Sequence, residues 1–280
     1  MIDSSERSAS AYSARGWQVP AFRAAVFAPR RSDVALCVFV LNEGERIRRQ
    51  LAAMPPYCRD VDLVIADGGS TDGALDGDFL REQSVRALLT KIGSGRLSAQ
   101  MRMALAWSLV EGYGGIIVMD GNDKDDPAAI GRFVAALRAG VDHVQGSRFR
   151  PGGRGVNTPW SRWFGLRFLH APAVSFAAGR SYSDTTNGFR AYSRRLLLDP
   201  RVAPFRNCFS GYELHYYLAI RAARLGFRVQ EVPVVRSYPK GQATPTKIHG
   251  WRGHIGVLAA LWNCCSGQFN PPAAPRRRAA

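Results

Sequence analysis

The sequence predicts an α/β fold, a mostly parallel sheet with helices on both faces. Three observations carry this expectation. Continuous apolar runs, the kind a strand buried on both faces requires, recur through the first half of the chain. Segments with helical periodicity separate those runs. Polar residues collect immediately after the runs, where an open parallel sheet presents its ligand crevice.

In chain order, VALCVFV (34–40) is the first buried-type strand. A helix begins near Glu43 in ERIRRQLAAM and stops at Pro55 and Pro56, because proline cannot continue the ladder of N–H donors. The second strand, VDLVIA (61–66), runs into the turn DGGSTDG, and RALLT (86–90) is a third, short strand. KIGSG then opens the helix RLSAQMRMALAWSLVEG. Strand GIIVMD, helix PAAIGRFVAALRAG and strand VDHVQGS follow, with Asp126 before Pro127 suited to an N-cap. After Gly146 the pattern changes to a Gly- and Arg-rich loop and the aromatic, basic stretch PWSRWFGLRFLHAPAVSFAAG. DTTNGFRAYSRRLL, a helix around GYELHYYLAIRAARLG, strand FRVQEVPVV and the basic turn RSYPKGQATPTK complete the second half of the same domain. Residues 1–32 show no period and read as a flexible leader, 33–250 as the domain, and 251–280 as a C-terminal helix and basic tail.

The five cysteines show neither paired CxxC spacing nor an even count, which argues against a zinc site or a disulfide framework. No secretory signal opens the chain, and no apolar run approaches the roughly 20 residues of a membrane span, so a cytoplasmic location is expected. A formal net charge of +16 calls for an anionic partner: nucleic acid, membrane lipid or a phosphorylated substrate. In PWSRWFGLRFLH, Trp160, Trp163, Phe164 and Phe168 interleave with Arg162 and Arg167. This composition suits either a membrane interface or a core helix whose arginines reach outward, and the first reading makes peripheral attachment to the cytoplasmic membrane face an expectation.

Three strand ends carry polar loops: LNEGE, DGGSTDG and DGNDKDD. The last places Asp120, Asn122, Asp123, Asp125 and Asp126 together, oxygen ligands of the type a hard divalent ion takes beside a phosphate. LNEGE lacks the glycine fingerprint of a dinucleotide site, and there is no P-loop.

In this order the motifs resemble family 2 glycosyltransferases of the GT-A fold, and among them the dolichyl- or polyprenyl-phosphate sugar synthases, over roughly residues 33–250. The resemblance implies an inverting transfer of a sugar from a nucleotide-sugar donor, assisted by Mg2+ or Mn2+. Asn42, Glu43 and Asp67 match positions that hold the nucleoside, although Asp67 also suits an ordinary turn. Gly93 and Gly95 match the loop that lets the donor diphosphate approach a helix start. Asp120 and Asn122 match the Asp-x-Asp metal motif, the amide keeping an oxygen ligand and removing a charge. Arg148 in GSRF matches a phosphate-contacting arginine, Asp184 the acid near the reacting centre, Gly188 a turn beside it, and Glu213 an acid of the following helix. His215, Tyr216 and Tyr217 read as packing. Gly241, Thr246 and Lys247 resemble a late element that closes on phosphate.

Asp120, Asp184 and Arg148 are thus the expected catalytic set. The acceptor is expected to be a lipid phosphate, since Arg148, Arg154, Arg162, Arg167, Lys240 and Lys247 exceed what a saccharide needs. A phosphate with a second pKa of about 6 is largely ionised near neutral pH and requires placement more than a base. The alternatives are a saccharide-extending member of the family and, in a different class, a basic nucleic-acid-binding protein. Nucleic acid is not the expected partner, because it leaves the three strand-end motifs without a role.

Overall fold

The apolar run Val34–Val40 forms a strand whose seven residues are all buried, and it lies near the middle of an eight-stranded sheet. The computed structural model describes residues 12–239 and 250–272. Its strands are β1 (Phe22–Val26), β2 (Val34–Val40), β3 (Asp62–Asp67), β4 (Val85–Lys91), β5 (Gly115–Asp120), β6 (His143–Ser147), β7 (Arg154–Val156), β8 (Arg190–Ser193), β9 (Val229–Pro233) and β10 (Val235–Ser237). The large sheet runs β1-β4-β3-β2-β5-β8-β6-β9, and β7 and β10 make a separate parallel pair. Pairing from β4 through β3 and β2 to β5 is parallel, as is β6 with β9.

The helices are α1 (Glu45–Ala53), α2 (Gly77–Glu82), α3 (Leu97–Val110), α4 (Ile130–Arg138), α5 (Trp160–Gly165), α6 (Ala171–Ala178), α7 (Arg194–Leu198), α8 (Glu213–Arg224) and α9 (Gly250–Cys265). Alternation along β2 sorts them into two layers. Ala35, Cys37 and Phe39 join a core with residues of α3, α6, α8 and α9, whereas Val34, Leu36, Val38 and Val40 join one with residues of α1, α2 and α4. Helices cover both faces, as the sequence implies.

Two strands depart from the parallel expectation. β8 lies antiparallel between β5 and β6, and β1 lies antiparallel on the β4 edge. Both were hidden for physical reasons: RAYS is only four residues long, and FRAAV is an edge strand with no fully buried position. The flexible leader expected over residues 1–32 is therefore corrected from Tyr12 onward. Tyr12 is buried, the Trp17 ring lies 4.4 Å from Phe205, and Gln18 N–H donates to the Phe205 carbonyl at 2.7 Å. Arg102 clamps this segment from α3, donating to the carbonyls of Gln18 and Phe209. At the other end, Leu261 and Cys264 of α9 are buried in the α3–α6–α8 core, so this helix packs into the same unit as residues 33–250. The basic tail beyond residue 272 lies outside the described residues.

A helical stretch from Trp160 to Ala178 contains a π-helical turn, Leu166–His170, between α5 and α6. Leu166, Ala171 and Val174 turn inward, while Trp160 (72% exposed), Phe164, Phe168, Leu169 and Phe176 face solvent. On α9, Ile255, Leu258 and Trp262 are also exposed. No helix among the described residues is long and apolar enough to cross a membrane.

The structural role of the first segment is testable. Trp17→Ala should lower unfolding free energy by about 2 kcal/mol, roughly half the cost of truncating a fully buried tryptophan. Denaturant unfolding of the two proteins checks this, and an unchanged midpoint would return the segment to a loose leader.

Candidate active site

Register brings the strand-end acids together. Val40 pairs with Asp67 and Phe39 with Asp120, so β3 and β5 deliver their terminal carboxylates on either side of the β2 end. Buried amides fix this arrangement. Gln100 of α3 donates to the carbonyls of Val40 (3.0 Å) and Ala66 (2.5 Å), tying the β2 and β3 ends together. Gln50 of α1 donates to the Asp120 carbonyl (2.9 Å) and accepts from Asp123 N–H (2.7 Å), holding the loop after β5. Gln50 sits among Ile47 and Leu51 on the buried stripe of its helix, and that polar interruption was the one sequence signal for it.

A cavity of about 990 Å3 opens over these strand ends. Its walls include Phe39, Leu41, Glu43, Gly68, Gly95, Asp120 and Asn122 on one side, and Pro159, Leu166, His170, Tyr216, Val257 and Leu258 on the other. Among the described lining residues, seven cationic side chains (Lys91, Arg96, Lys124, Arg148, Arg162, Arg190 and Arg236) face only two acids, Glu43 and Asp120. Such a site favours a polyanionic ligand.

Asp120 Oδ2 accepts from Arg236 at 2.9 Å, and the other end of the same guanidinium holds Asp125. Asn122 Nδ2 lies 3.5 Å from the same Asp120 oxygen. Burial alone would push the Asp120 carboxyl up, but the adjacent Arg236, with Lys124 behind it, holds it below the usual carboxylate range. For Asp125 burial prevails and the carboxyl is raised, since it shares its guanidinium with a neighbouring acid. Lys124 is pushed down to about 8 by burial and by Arg236. Asp123 points elsewhere, pairing with Arg49 at 3.3 Å near the surface.

Arg148 and Asp184 form a buried, two-pronged ion pair, Nε–Oδ2 2.7 Å and Nη2–Oδ1 2.9 Å, with side chains 2% and 0% exposed. Arg148 also donates to Thr186 Oγ1 (3.0 Å) and Tyr238 Oη (3.1 Å). Asp184 does not line the cavity; it stands behind Arg148, its own N–H anchored on Glu231 at 3.2 Å. Gly188 packs against Asp120, where an added Cβ would meet Oδ1 at 2.8 Å. His215 lines the cavity with its Nε2 buried and lacking a partner among the described residues. Burial and Arg190 hold its pKa well below the ordinary value, so it is neutral.

The remaining expected residues lie at several places around the strand ends. Asp67 accepts from Ser70 N–H (2.9 Å) and Oγ (2.6 Å), closing its turn, and the adjacent Gly68 lines the cavity instead. Asn42, at φ +47°, accepts from Thr71 N–H at 2.8 Å and stitches the first loop to the second. Glu43 lines the cavity and pairs with Arg46 at 2.9 Å. Gly95, at φ +102°, passes so close to Ala99 that a Cβ would lie 2.5 Å from it; Gly93 instead packs against Pro20 and Ala21. Glu213 accepts from Gly211 N–H at 2.8 Å within its own helix start. Lys240, Gly241, Thr246 and Lys247 lie outside the described residues. Arg236 was not singled out from the sequence, because one arginine among 38 basic residues carries no mark of its partner.

No group of three or more His, Cys, Asp or Glu side chains suited to a metal is present among the described residues. The oxygens at hand are the Asp120 carboxylate and Asn122 Oδ1, the latter buried without a partner among the described residues. This sparse set fits an ion of the Mg2+ type, which takes one or two protein oxygens and completes its shell with water and substrate phosphates.

The sequence profile described as Glycosyl transferase family 2 matches residues 36–199. The chain belongs to this family. It is 30% identical over 196 residues to polyprenol monophosphomannose synthase of Mycolicibacterium smegmatis, covering 69% of this chain and 73% of that protein. It is likewise 30% identical over 200 residues to undecaprenyl-phosphate mannosyltransferase of Micrococcus luteus, covering 69% and 79%. Among solved structures, glucosyl-3-phosphoglycerate synthase of Mycobacterium tuberculosis in complex with Mn2+, UDP and glucosyl-3-phosphoglycerate superposes with a TM-score of 0.57 at 17% identity, over 87% of this chain and 82% of that one. The fold of this family 2 chain is thus the GT-A fold.

Gly188→Ala tests the site geometry. The new methyl group must displace the Asp120 carboxylate, so sugar transfer should fall about a hundredfold, the scale of a 1 Å misplacement. Unfolding followed by circular dichroism should move little, and retention of full transfer would show that the Asp120 position does not matter.

Proposed function

We propose that the chain is an inverting glycosyltransferase that moves a sugar from a nucleotide-sugar donor to a polyprenyl-type phosphate. One observation carries this reading: the cavity joins an acid-bearing strand end to a cationic floor and then to helices with exposed apolar side chains. The donor belongs at Glu43, Gly95, Asp120 and Asn122, and the acceptor phosphate at Arg148 and Arg162. Its chain leaves past Leu166, Val257 and Leu258 toward Trp160, Phe164 and Trp262. Two relatives are named for a mannose synthase or transferase acting with a polyprenol or undecaprenyl phosphate, and a third, from Haloferax volcanii, is a dolichyl-phosphate hexose transferase. These names support the same acceptor class here.

Chemically, an acceptor phosphate oxygen attacks the anomeric carbon as the bond to the donor diphosphate breaks, and the nucleoside diphosphate leaves with the bonding electrons. A divalent ion, Mg2+ or Mn2+, would be held by Asp120 and Asn122 and would neutralise charge on that leaving group. Arg148 places the acceptor phosphate, and Asp184 positions Arg148. No carboxylate need take a proton, because the phosphate is already ionised. Asp120→Ala should abolish transfer while leaving a folded protein.

The acceptor assignment is checked by offering polyprenyl phosphate, polyprenol and a free saccharide side by side. Transfer to the phosphate is expected, reduced at least tenfold in Arg148→Ala through loss of a charge-assisted contact. Asp184→Asn should act through stability, costing about 3–5 kcal/mol as the buried arginine loses its counter-charge. A preference for the saccharide, with Asp184→Asn folded yet inactive, would assign a saccharide-extending enzyme with Asp184 as its base.

Membrane presentation has its own measurement. Trp160→Glu with Trp262→Glu should reduce co-sedimentation with anionic phospholipid vesicles severalfold and leave donor binding unchanged. Equal sedimentation of the variant would remove these helices from the membrane surface.

A further inference from the structure

Asp120, which lines the cavity, and the buried Asp125 share one guanidinium, and the backbone that carries it is fixed. Arg236 is paired with Gly155 in the β7–β10 ladder and bridged to Asp125 in the loop after β5. Ser237 N–H donates to the Lys124 carbonyl at 2.8 Å, and Asp126 N–H to the Val235 carbonyl at 3.1 Å. Arg236 is therefore stapled to the loop that holds Asn122 and Asp125, and it reaches across to Asp120 at 2.9 Å. That loop also has acceptors to spare. Asn122 Oδ1 and Asp125 Oδ1 are both buried without a hydrogen-bond partner among the described residues, Asp125 being 4% exposed. Buried polar atoms normally find partners, and Asn122 Oδ1, beside Asp120 in the cavity wall, points to a cation that the guanidinium does not replace there.

We infer that Arg236 is a resident cation of the donor site that competes with the divalent ion for Asp120 and so sets how tightly that ion binds. The inference rests on the donor-site reading of Asp120. A divalent ion approaching the free side of this carboxylate meets an acid already paired, and a fixed positive charge directly behind it. Lys124, on the same loop, adds repulsion of the same sign. The motif compounds the effect, because Asn122 offers oxygen without charge. With Arg236 in place the site supplies part of the diphosphate's counter-charge itself, and the divalent ion joins chiefly with the donor.

The test is a titration of the full chain with Mn2+ in the absence of donor, with free Mn2+ read from its electron paramagnetic resonance signal. Arg236→Gln should bind Mn2+ at least tenfold more tightly than the wild type, and Asp120→Asn in that background should erase the gain. Arg236→Gln leaves Asp120 and the buried Asp125 without their guanidinium, so Asp125→Asn/Arg236→Gln is measured beside Asp125→Asn, with the same tenfold tightening expected. Folded Arg236 variants that bind Mn2+ no better than their Arg236-containing parents overturn the inference. Failure of the transfer reading is separate, since that appears as absent sugar transfer to polyprenyl phosphate in the wild type.

Discussion

Strand β2 is apolar on both faces and hydrogen-bonded on both edges, which leaves its end as the nearest place for a polar side chain. Everything at the site follows from that constraint. Parallel pairing sends the ends of β3, β2 and β5 in one direction, and the register sets Asp67 and Asp120 beside the β2 end. Strand carbonyls at the ends of the ladder keep their acceptor needs, and Gln100 donates to Ala66 and, beside Gly68 N–H, to Val40. One amide thereby converts a backbone requirement into a fixed spacing between the two loops.

On the other side of the cavity, charge is controlled by pairing. Arg148 and Asp184 are both buried, a placement costly in desolvation and tolerable only with near-complete hydrogen bonding. That condition is met: Asp184 accepts from Arg148 and Thr186, while Glu231 anchors Ser183 and Asp184 through their N–H groups. The pair behaves as a rigid, neutral strut that presents the remaining edge of the guanidinium to the cavity. An acid so fully engaged is poorly suited to accept a proton from a substrate, which accords with a nucleophile that arrives ionised.

The sheet was legible because buried parallel strands favour apolar runs between helical segments, and six of its strands could be read directly. Asp120, Asn122 and Glu43 were legible because position after such a run fixes their location. What escaped reading depends on long-range pairing. β8 enters the sheet from a segment of four residues, β1 has only half a face to bury, and Arg236 meets Asp120 across 116 positions of chain. Asp67 shows the opposite case. Its turn chemistry and its family position were both visible, and the structure gives its oxygens to Ser70.

The charge excess divides by the same logic. Arg190 is fully buried and sends its guanidinium to the carbonyls of Asn187, His215 and Thr185, with no acid among these partners. Arg102, Arg194, Arg206, Arg224 and Arg228 likewise donate to carbonyls where chain segments end or cross. A planar fork of five donors suits this task, since loop carbonyls outnumber the N–H groups available to them. Such arginines raise the net charge without contacting a ligand, so the total of +16 overstates the attraction for anions. The cations that matter for recognition are those whose remaining donors face the cavity. Arg190 connects the two groups, for it fastens β8 to the start of α8 and also leaves its positive charge in the cavity wall near Asp120 and Gly188. A clamp needed for the fold thus contributes to the field that a diphosphate meets.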